Sequence, residues 1–468
     1  MLADDVSAVF QEQYFPDFLE QWVSYFGKVT NRIFKPTDLD VVSDGINFQY
    51  ELGPSDTARS STSILGSFAS PQQFNPGSFK IRFSQTGACD FVRVSASAQV
   101  TDLDMVNGAK GRAVDIVQRV VKQIIPGYDE HLAMLRNLPK SGQICSIATT
   151  PGVKKNDART LGAASSSPTN AAGLRFGISG ASRAFFRPNK RIDFVVGGVV
   201  VAGNILVTDV NLADPHSAGY GSVGCSFVSS GVAGQASTGD LSLVTSAATV
   251  YHSGEYNAGM YSMGAFFTSP TAGESFIGGI DRTTSNYRFM VPVTTREYDS
   301  AGNAITANAT INQSHFTDLA NSMNYTDEEG VGGLFVGSPE TCRKLQNDIF
   351  QASIINVPTD STKAARFGHF GMSGVLFQDP TFGTTQIVAD PLINPNRIRF
   401  IVPKTWMQLN WGWKGLRSLP GDKGAWYRLN DPTPNIGRSI VYKSDWYALH
   451  CDMCSQPWRN GEIRAITA

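Results

Sequence analysis

The stretch GGLFVGSPETCRKLQND, residues 332–348, is the best-formed local unit in the chain. Leu334, Phe335 and Val336 make a short apolar run that reads as a buried strand, and Gly337 ends it. Ser338 is placed to cap a following helix by accepting a bond from a free backbone N–H. Pro339 suits the first helical position, where no N–H is needed, and Glu340 sits where the helix dipole favours an acid. Cys342, Leu345 and Ile349 recur at three and four residues, one face of a helix. Enzymes often place a nucleophile or a phosphate at such a turn. Here GSPETC is not G-x-S-x-G, and Cys342 falls inside the helix on its apolar face. The sequence supplies no nucleophile with a base at this turn, so the unit reads as a structural block.

Working outward, helix and strand signals alternate from 290 to 410. SHFTDLANSMN offers a Ser314 cap with Phe316, Leu319 and Met323 on one face. TQIVADP (385–391) and RIRFIVP (397–403) read as strands, and GRSIVYKSDWYALHCDMC (437–454) as a long one. Towards the N-terminus, PDFLEQWVSYFG (16–27) puts Phe18, Trp22, Tyr25 and Phe26 on one helical face, a stripe for the chain's own core or for clasping another subunit. INFQYELG (46–53) and SFKIRFSQ (78–85) alternate as half-buried strands of a hairpin. Between them lies a long loop carrying Arg59, Ile64, Leu65, Phe68 and Phe74 among Ser, Gly and Pro. Loops of that length within a domain are uncommon unless functional, and the scattered apolar side chains fit an arm lying on a partner. Val114, Val117, Val120, Val121, Ile124 and Ile125 keep helical spacing, and Leu132, Leu135 and Leu138 continue it after a kink or break at Pro126. From 141 to 275, Ser, Gly, Ala and Thr dominate, which predicts short β segments with many turns. FVVGGVVVAGNILV (194–207) reads as buried strands, too short to span a bilayer.

Of 468 residues, 39 are Lys or Arg and 40 are Asp or Glu. That balance excludes a protein built to grip nucleic acid, though not one that encloses it. The first residues hold no apolar run of signal-peptide length, and the six cysteines lack a framework spacing. Together these features predict a reduced, cytosolic folding site. The sequons at Asn308, Asn312 and Asn324 then read as chance. The six histidines give no HExxH or H-x-H spacing. HCDMC (450–454) is one Cys-x-x-Cys without the second pair of a structural zinc site, and strand geometry sends Cys451 and Cys454 to opposite faces. GGVVVAG lacks the dinucleotide fingerprint, and TDEEG (326–330) lacks calcium-loop spacing. The tryptophans of WMQLNWGW (406–413) read as core or interface aromatics. No catalytic residue, metal or cofactor is predicted.

The order of these parts carries more than any motif. An arm leads to a long-tipped hairpin, a long helix, a β region, a helix–strand–helix block and a last long strand. This order resembles the Hong Kong 97-type major capsid protein of tailed phages. GGIDRTTSNYRFMVPV (278–293) is similar to the Asp-Arg-Thr segment of that family. HFTDLANSM with GGLFVGSPETCRKLQND is similar to its axial-domain helix, central strand and second helix. FGTTQIVADP with RIRFIVP looks like the following axial strands, and DWYALHCDMCSQPWRNGEIRAI like the last peripheral strand and its tail. The resemblance implies an α+β capsid fold: an N-terminal arm (1–45), an extended-loop hairpin and peripheral strands (46–104) and a spine helix (105–140). A β-rich insertion or expanded peripheral region (141–275), a mainly axial domain (276–410) and a return to the peripheral domain (411–468) complete it. It further implies a virion shell of hexamers and pentamers, assembled in the host cytoplasm around double-stranded DNA without sequence specificity. Portal protein, scaffolding protein and cement or decoration proteins would be its other partners, and no membrane. Phe18, Trp22, Arg59, Ile64, Leu65, Phe68 and Phe74 would make inter-subunit contacts. The family's Lys–Asn weld needs a Lys on the extended loop, and residues 51–79 contain none, which predicts a noncovalent shell. Two other readings are open: a secreted or surface-layer, adhesin-like β protein, and an enzyme with a dispersed site.

Overall fold

The computed structural model describes residues 30, 33–39, 45–48, 51–54, 81–83, 87–90, 92–101, 127–148, 153–155, 173–179, 183–211, 222–228, 236–270, 274–284, 289–297, 305, 308–323, 333–345, 374–379, 383–411, 417–418, 427–429 and 441–467. Helix and sheet are mixed, and three β assemblies hold most of the described core. The first is a ladder sheet. Val441–Cys454 runs antiparallel to Val92–Thr101, from Val441↔Thr101 to His450↔Val92. Its other edge pairs with Trp406–Trp411, and Lys35–Leu39 lies parallel to that strand at the outside. Residues far apart in sequence therefore build one sheet. Of the N-terminal hairpin, Glu51–Pro54 pairs with Ile81–Phe83, between the two predicted strands, while Gly45–Phe48 pairs with Gly87–Asp90, beyond the predicted 78–85.

The β segments after residue 141 close on themselves. Arg191–Val196, Thr249–His252, Gln143–Ile147, Gly173–Ser179, Ser222–Ser226 and Val199–Asn211 follow one another in space. The last also pairs with the first, so six antiparallel strands form a closed barrel. Closure leaves no unpaired edge in the ring. A barrel this small is filled by side chains rather than by solvent. Phe176, Phe194, Ile205, Val207, Val223 and Val250 are at most 1% exposed and share one cluster. Phe176 meets Phe186 and Phe194 edge-on, at 6.0 and 5.4 Å between centroids. The stretch 194–207 is buried only in part. Gly197 and Gly198, with φ of 59° and 82°, make the tight turn of a hairpin, and beside it Val199 and Val200 are 65% and 42% exposed. The hairpin tip projects beyond the packed interior, which a count of apolar residues could not show.

The third assembly is a mixed sheet in the order Val293–Thr295, Gly461–Ile463, Ile398–Ile401, Leu334–Gly337, Gly383–Ala389 and Gly374–Asp379. Leu334–Gly337 is central, antiparallel to Ile398–Ile401 and parallel to Gly383–Ala389. The helix Gln313–Met323 buries Phe316, Leu319 and Met323, with Phe316 edge-on to Phe335 at 4.9 Å. The next helix, 339–345, adds Cys342 and Leu345 to the same core. Ser338 caps it as predicted, its Oγ accepting from Thr341 N at 3.2 Å. The other helix departs from prediction. Its cap is Asn312 rather than Ser314: Asn312 Oδ1 accepts from His315 N at 3.4 Å, and Asn312 N donates back to His315 Nδ1 at 3.3 Å. An imidazole here takes the place that Glu or Gln holds in a capping box.

Candidate functional site

The three assemblies meet at helix 127–137 and the residue after it. Helical periodicity gives each face a separate duty. Tyr128, Leu132 and Leu135 pack on Val94 and Ala448 of the ladder sheet and on Met260. Ala133, Met134 and Leu138 enter the barrel's core. Arg136 and Asn137 carry polar connections. Arg136 is 1% exposed and forks onto Asp452, Nε to Oδ2 at 2.8 Å and Nη2 to Oδ1 at 3.2 Å. Its Nη2 also donates to Gln408 Oε1 at 2.6 Å, and its guanidinium lies 4.1 Å from the Phe34 ring centre. Ser262 Oγ donates to Asp452 Oδ2 at 2.7 Å. With its oxygen on Arg136, Gln408 must turn its amide nitrogen to His450 Nδ1, 2.8 Å away. That makes Nδ1 an acceptor and puts the proton on Nε2, which faces the Tyr128 hydroxyl. Burial, with Arg136 adding to it, pushes His450 down to about 3, so it is neutral at pH 7.

Asn137 joins the helix to the mixed sheet. Its Oδ1 accepts from Arg399 Nη1 at 2.9 Å, and its Nδ2 donates to Thr30 Oγ1 at 3.2 Å. Thr30 Oγ1 donates to Asp390 Oδ2 at 2.6 Å. Arg399 Nε also bonds Glu462, whose side chain is fully buried, at 3.1 Å, and Arg464 Nε approaches the same carboxylate at 2.6 Å. Burial alone would raise the Glu462 carboxyl, yet Arg464, Arg397 and Arg399 together hold it at about 2.

The chain enters and leaves the barrel through a narrow neck beside this helix. Asn257 N donates to Ser141 O at 2.9 Å, and Lys140 Nζ to Gly259 O at 2.8 Å. A Cβ on Gly259 would stand 2.6 Å from the carbonyl oxygens of both Pro139 and Lys140. Only glycine lets the two backbones approach this closely.

Chemically the site is a clamp of buried, mutually bonded charges. Burial pushes the Cys342 and Cys454 thiols up to about 11 and 12, so neither is a thiolate at neutral pH. Among the described residues, no three His, Cys, Asp or Glu side chains are arranged to hold a metal ion. No described helix is long and apolar enough to cross a membrane. Cys451 and Cys454 share one cluster with Trp406 and Phe266 instead of serving opposite faces. Cys454 is the strand's last residue, and its Sγ turns towards Thr405 Oγ1 at 3.6 Å. Trp406 is 1% exposed within that core, as a core aromatic should be. Phe18, Trp22, Arg59, Ile64, Leu65, Phe68 and Phe74 lie outside the described residues, as do the arm 1–29, the loop 55–80 and the helical pattern 102–126.

No protein-family model matches the chain, and no curated protein does. Among solved structures, the chain is similar to capsids along almost its whole length. The cyanophage A-1(L) capsid is 8% identical with a TM-score of 0.48, over 94% of this chain and 93% of that one. The satellite phage P4 procapsid is 7% identical with a TM-score of 0.38, over 97% and 92%. The capsid of a native GTA particle is 9% identical with a TM-score of 0.35, over 94% and 89%.

The buried clamp was not singled out in the sequence. Asp452 carried a signal, an acid amid apolar residues of a long strand, but its partner Arg136 lies 316 positions away. Nothing local pairs them.

Proposed function

We propose that this chain is the major shell protein of a tailed double-stranded DNA phage, forming hexamers and pentamers of an icosahedral head. The observation that carries the reading is the connectivity. Val92–Thr101 and Val441–Cys454 pair along their length over a helix, while Gly461–Ile463 passes into a separate mixed sheet centred on Leu334–Gly337. This connectivity supports a division into peripheral and axial parts, which the resemblance to the Hong Kong 97-type family implies. In this reading helix 127–137 is the end of the spine, and the mixed sheet with its two helices meets its copies around the symmetry axes. Such head-to-tail contacts close rings. The arm, with Phe18 and Trp22, and the loop, with Arg59, Ile64, Leu65, Phe68 and Phe74, lie on neighbours. The barrel is an elaboration of the peripheral part. The near-equality of 39 basic and 40 acidic residues suits a wall that encloses DNA without holding it. The shell is assembled in the host cytoplasm with a portal, and with scaffolding or cement proteins where burial alone does not suffice.

Negative-stain electron microscopy and sedimentation of the protein expressed in bacteria test this. Closed shells, tubes or rings of five and six are expected. A monodisperse monomer that a scaffolding protein leaves unchanged overturns the reading. Ladders of linked subunits on a denaturing gel would overturn the noncovalent shell.

A further inference from the structure

The barrel also touches helix 127–137 through a second polar cluster. His131 Nε2, on the helix, lies 2.6 Å from Glu255 Oε1, just past the strand Thr249–His252. His252 is 5% exposed and stands edge-on to His131, with 5.9 Å between ring centroids. Its Nε2 and the second oxygen of Glu255 are both buried without a hydrogen-bond partner. The charged groups around them leave little compensation. From the helix comes Glu130, taken up by Arg187 at 2.6 Å and Lys190 at 3.3 Å, both of which precede the strand Arg191–Val196. From that strand comes Asp193, whose oxygens accept from the backbone N–H groups of Asn204 and Gly254 at 2.7 and 2.8 Å. Glu255 is left to face two imidazoles, and it is already bonded to one of them.

We propose that the His131–His252–Glu255 cluster is an acid-sensitive latch: a proton taken up by His252 releases the barrel from helix 127–137. A further cation beside Lys190 and His131, sealed from water, is stabilised only if the junction opens and hydrates. Burial pushes His252 down to about 4 from its ordinary 6.5, with His131 and Lys190 adding to the effect and Glu255 opposing it. A folded-state value below the unfolded one means that stability is full above pH 6.5 and is lost as pH falls towards 4. Linkage between 6.5 and about 4 raises the open population about 30-fold from pH 8 to pH 5. His450 is held low as well and ties the helix to the ladder sheet through partners on both ring nitrogens, so the barrel's share of the acid response is the part that His252→Gln removes. The latch is a property of the single chain and does not depend on assembly.

Hydrogen exchange of the full chain, read by mass spectrometry and corrected for intrinsic rates, tests it. Peptides covering 249–259 should lose about 30-fold protection between pH 8 and pH 5, while those covering Ile398–Ile401 of the mixed sheet keep theirs. His252→Gln should make the junction insensitive to pH. A flat wild-type profile, or the same acid loss in His252→Gln, overturns the latch. Should that variant not fold, His131→Gln serves. It removes a positive neighbour that holds His252 down, so the loss should shrink to under about tenfold, and an unchanged loss overturns the proposal.

Discussion

Replacing Arg136 by Met tests the clamp most directly. The methionine fills similar space and keeps a contact with Phe34, but both bonds to Asp452 and the bond to Gln408 disappear. Asp452, 1% exposed, is left with the Ser262 hydroxyl at 2.7 Å. Breaking one side of a buried ion pair costs about 3–5 kcal/mol, because the orphaned charge keeps its desolvation penalty. Gln408 Oε1 loses its bond to Arg136 as well. The informative partner is the double variant Arg136→Met with Asp452→Leu. With both charges gone the penalty disappears, and a buried pair replaced by apolar groups is often near neutral. The double variant should therefore be more stable than Arg136→Met alone, with a coupling of at least about 2 kcal/mol. Urea unfolding of the unassembled subunit, followed by tryptophan fluorescence and circular dichroism, gives all the stabilities needed for the cycle. A single variant within about 1 kcal/mol of wild type, or strictly additive losses, would refute the argument that the buried charge dominates.

Phe176→Ala should cost about 3–5 kcal/mol by leaving a cavity against Phe186 and Phe194, seen as a lower urea midpoint for the barrel. Glu462→Gln should be destabilising at neutral pH and flatten the acid limb of stability. Its carboxyl is held at about 2, so its contribution is present above the ordinary 4.5 and vanishes as pH falls towards 2. Chemical denaturation at successive pH values from 6 to 2 reads this, and parallel curves for variant and wild type would contradict it. Asn312→Ala should cost about 1 kcal/mol, whereas Ser314→Ala should cost little, which thermal melts of the two variants distinguish.

What could be read from the sequence was local. Ser338 announced its cap because the acceptor and the N–H that it meets are three residues apart. The strand Val441–Cys454 lies within the long β segment read over 437–454. Asn312 and Ser314 are both good caps, and only the position of the helix's first turn decides between them. Barrel closure was out of reach, since it depends on Val196 meeting Val199 while Ser146 meets Ser179, and neither register is written in composition. The clamp was hidden for the same reason: Arg136, Gln408 and Asp452 belong to three distant segments, and nothing near any of them names the other two. The candidate contact residues on the arm and loop rest on the sequence alone.

The neck gives the barrel the character of a plug in a socket. Because residues 139–142 and 255–259 already touch, a short glycine bridge could close the chain with the whole barrel removed. The socket would not be left inert. Ala133, Met134 and Leu138 would lose their cover and present a sticky stripe where another module, or a polar rewrite of those three positions, would have to be installed. A lineage that gains or loses such a plug must therefore change two distant stretches at once, the excised one and the helix that faced it.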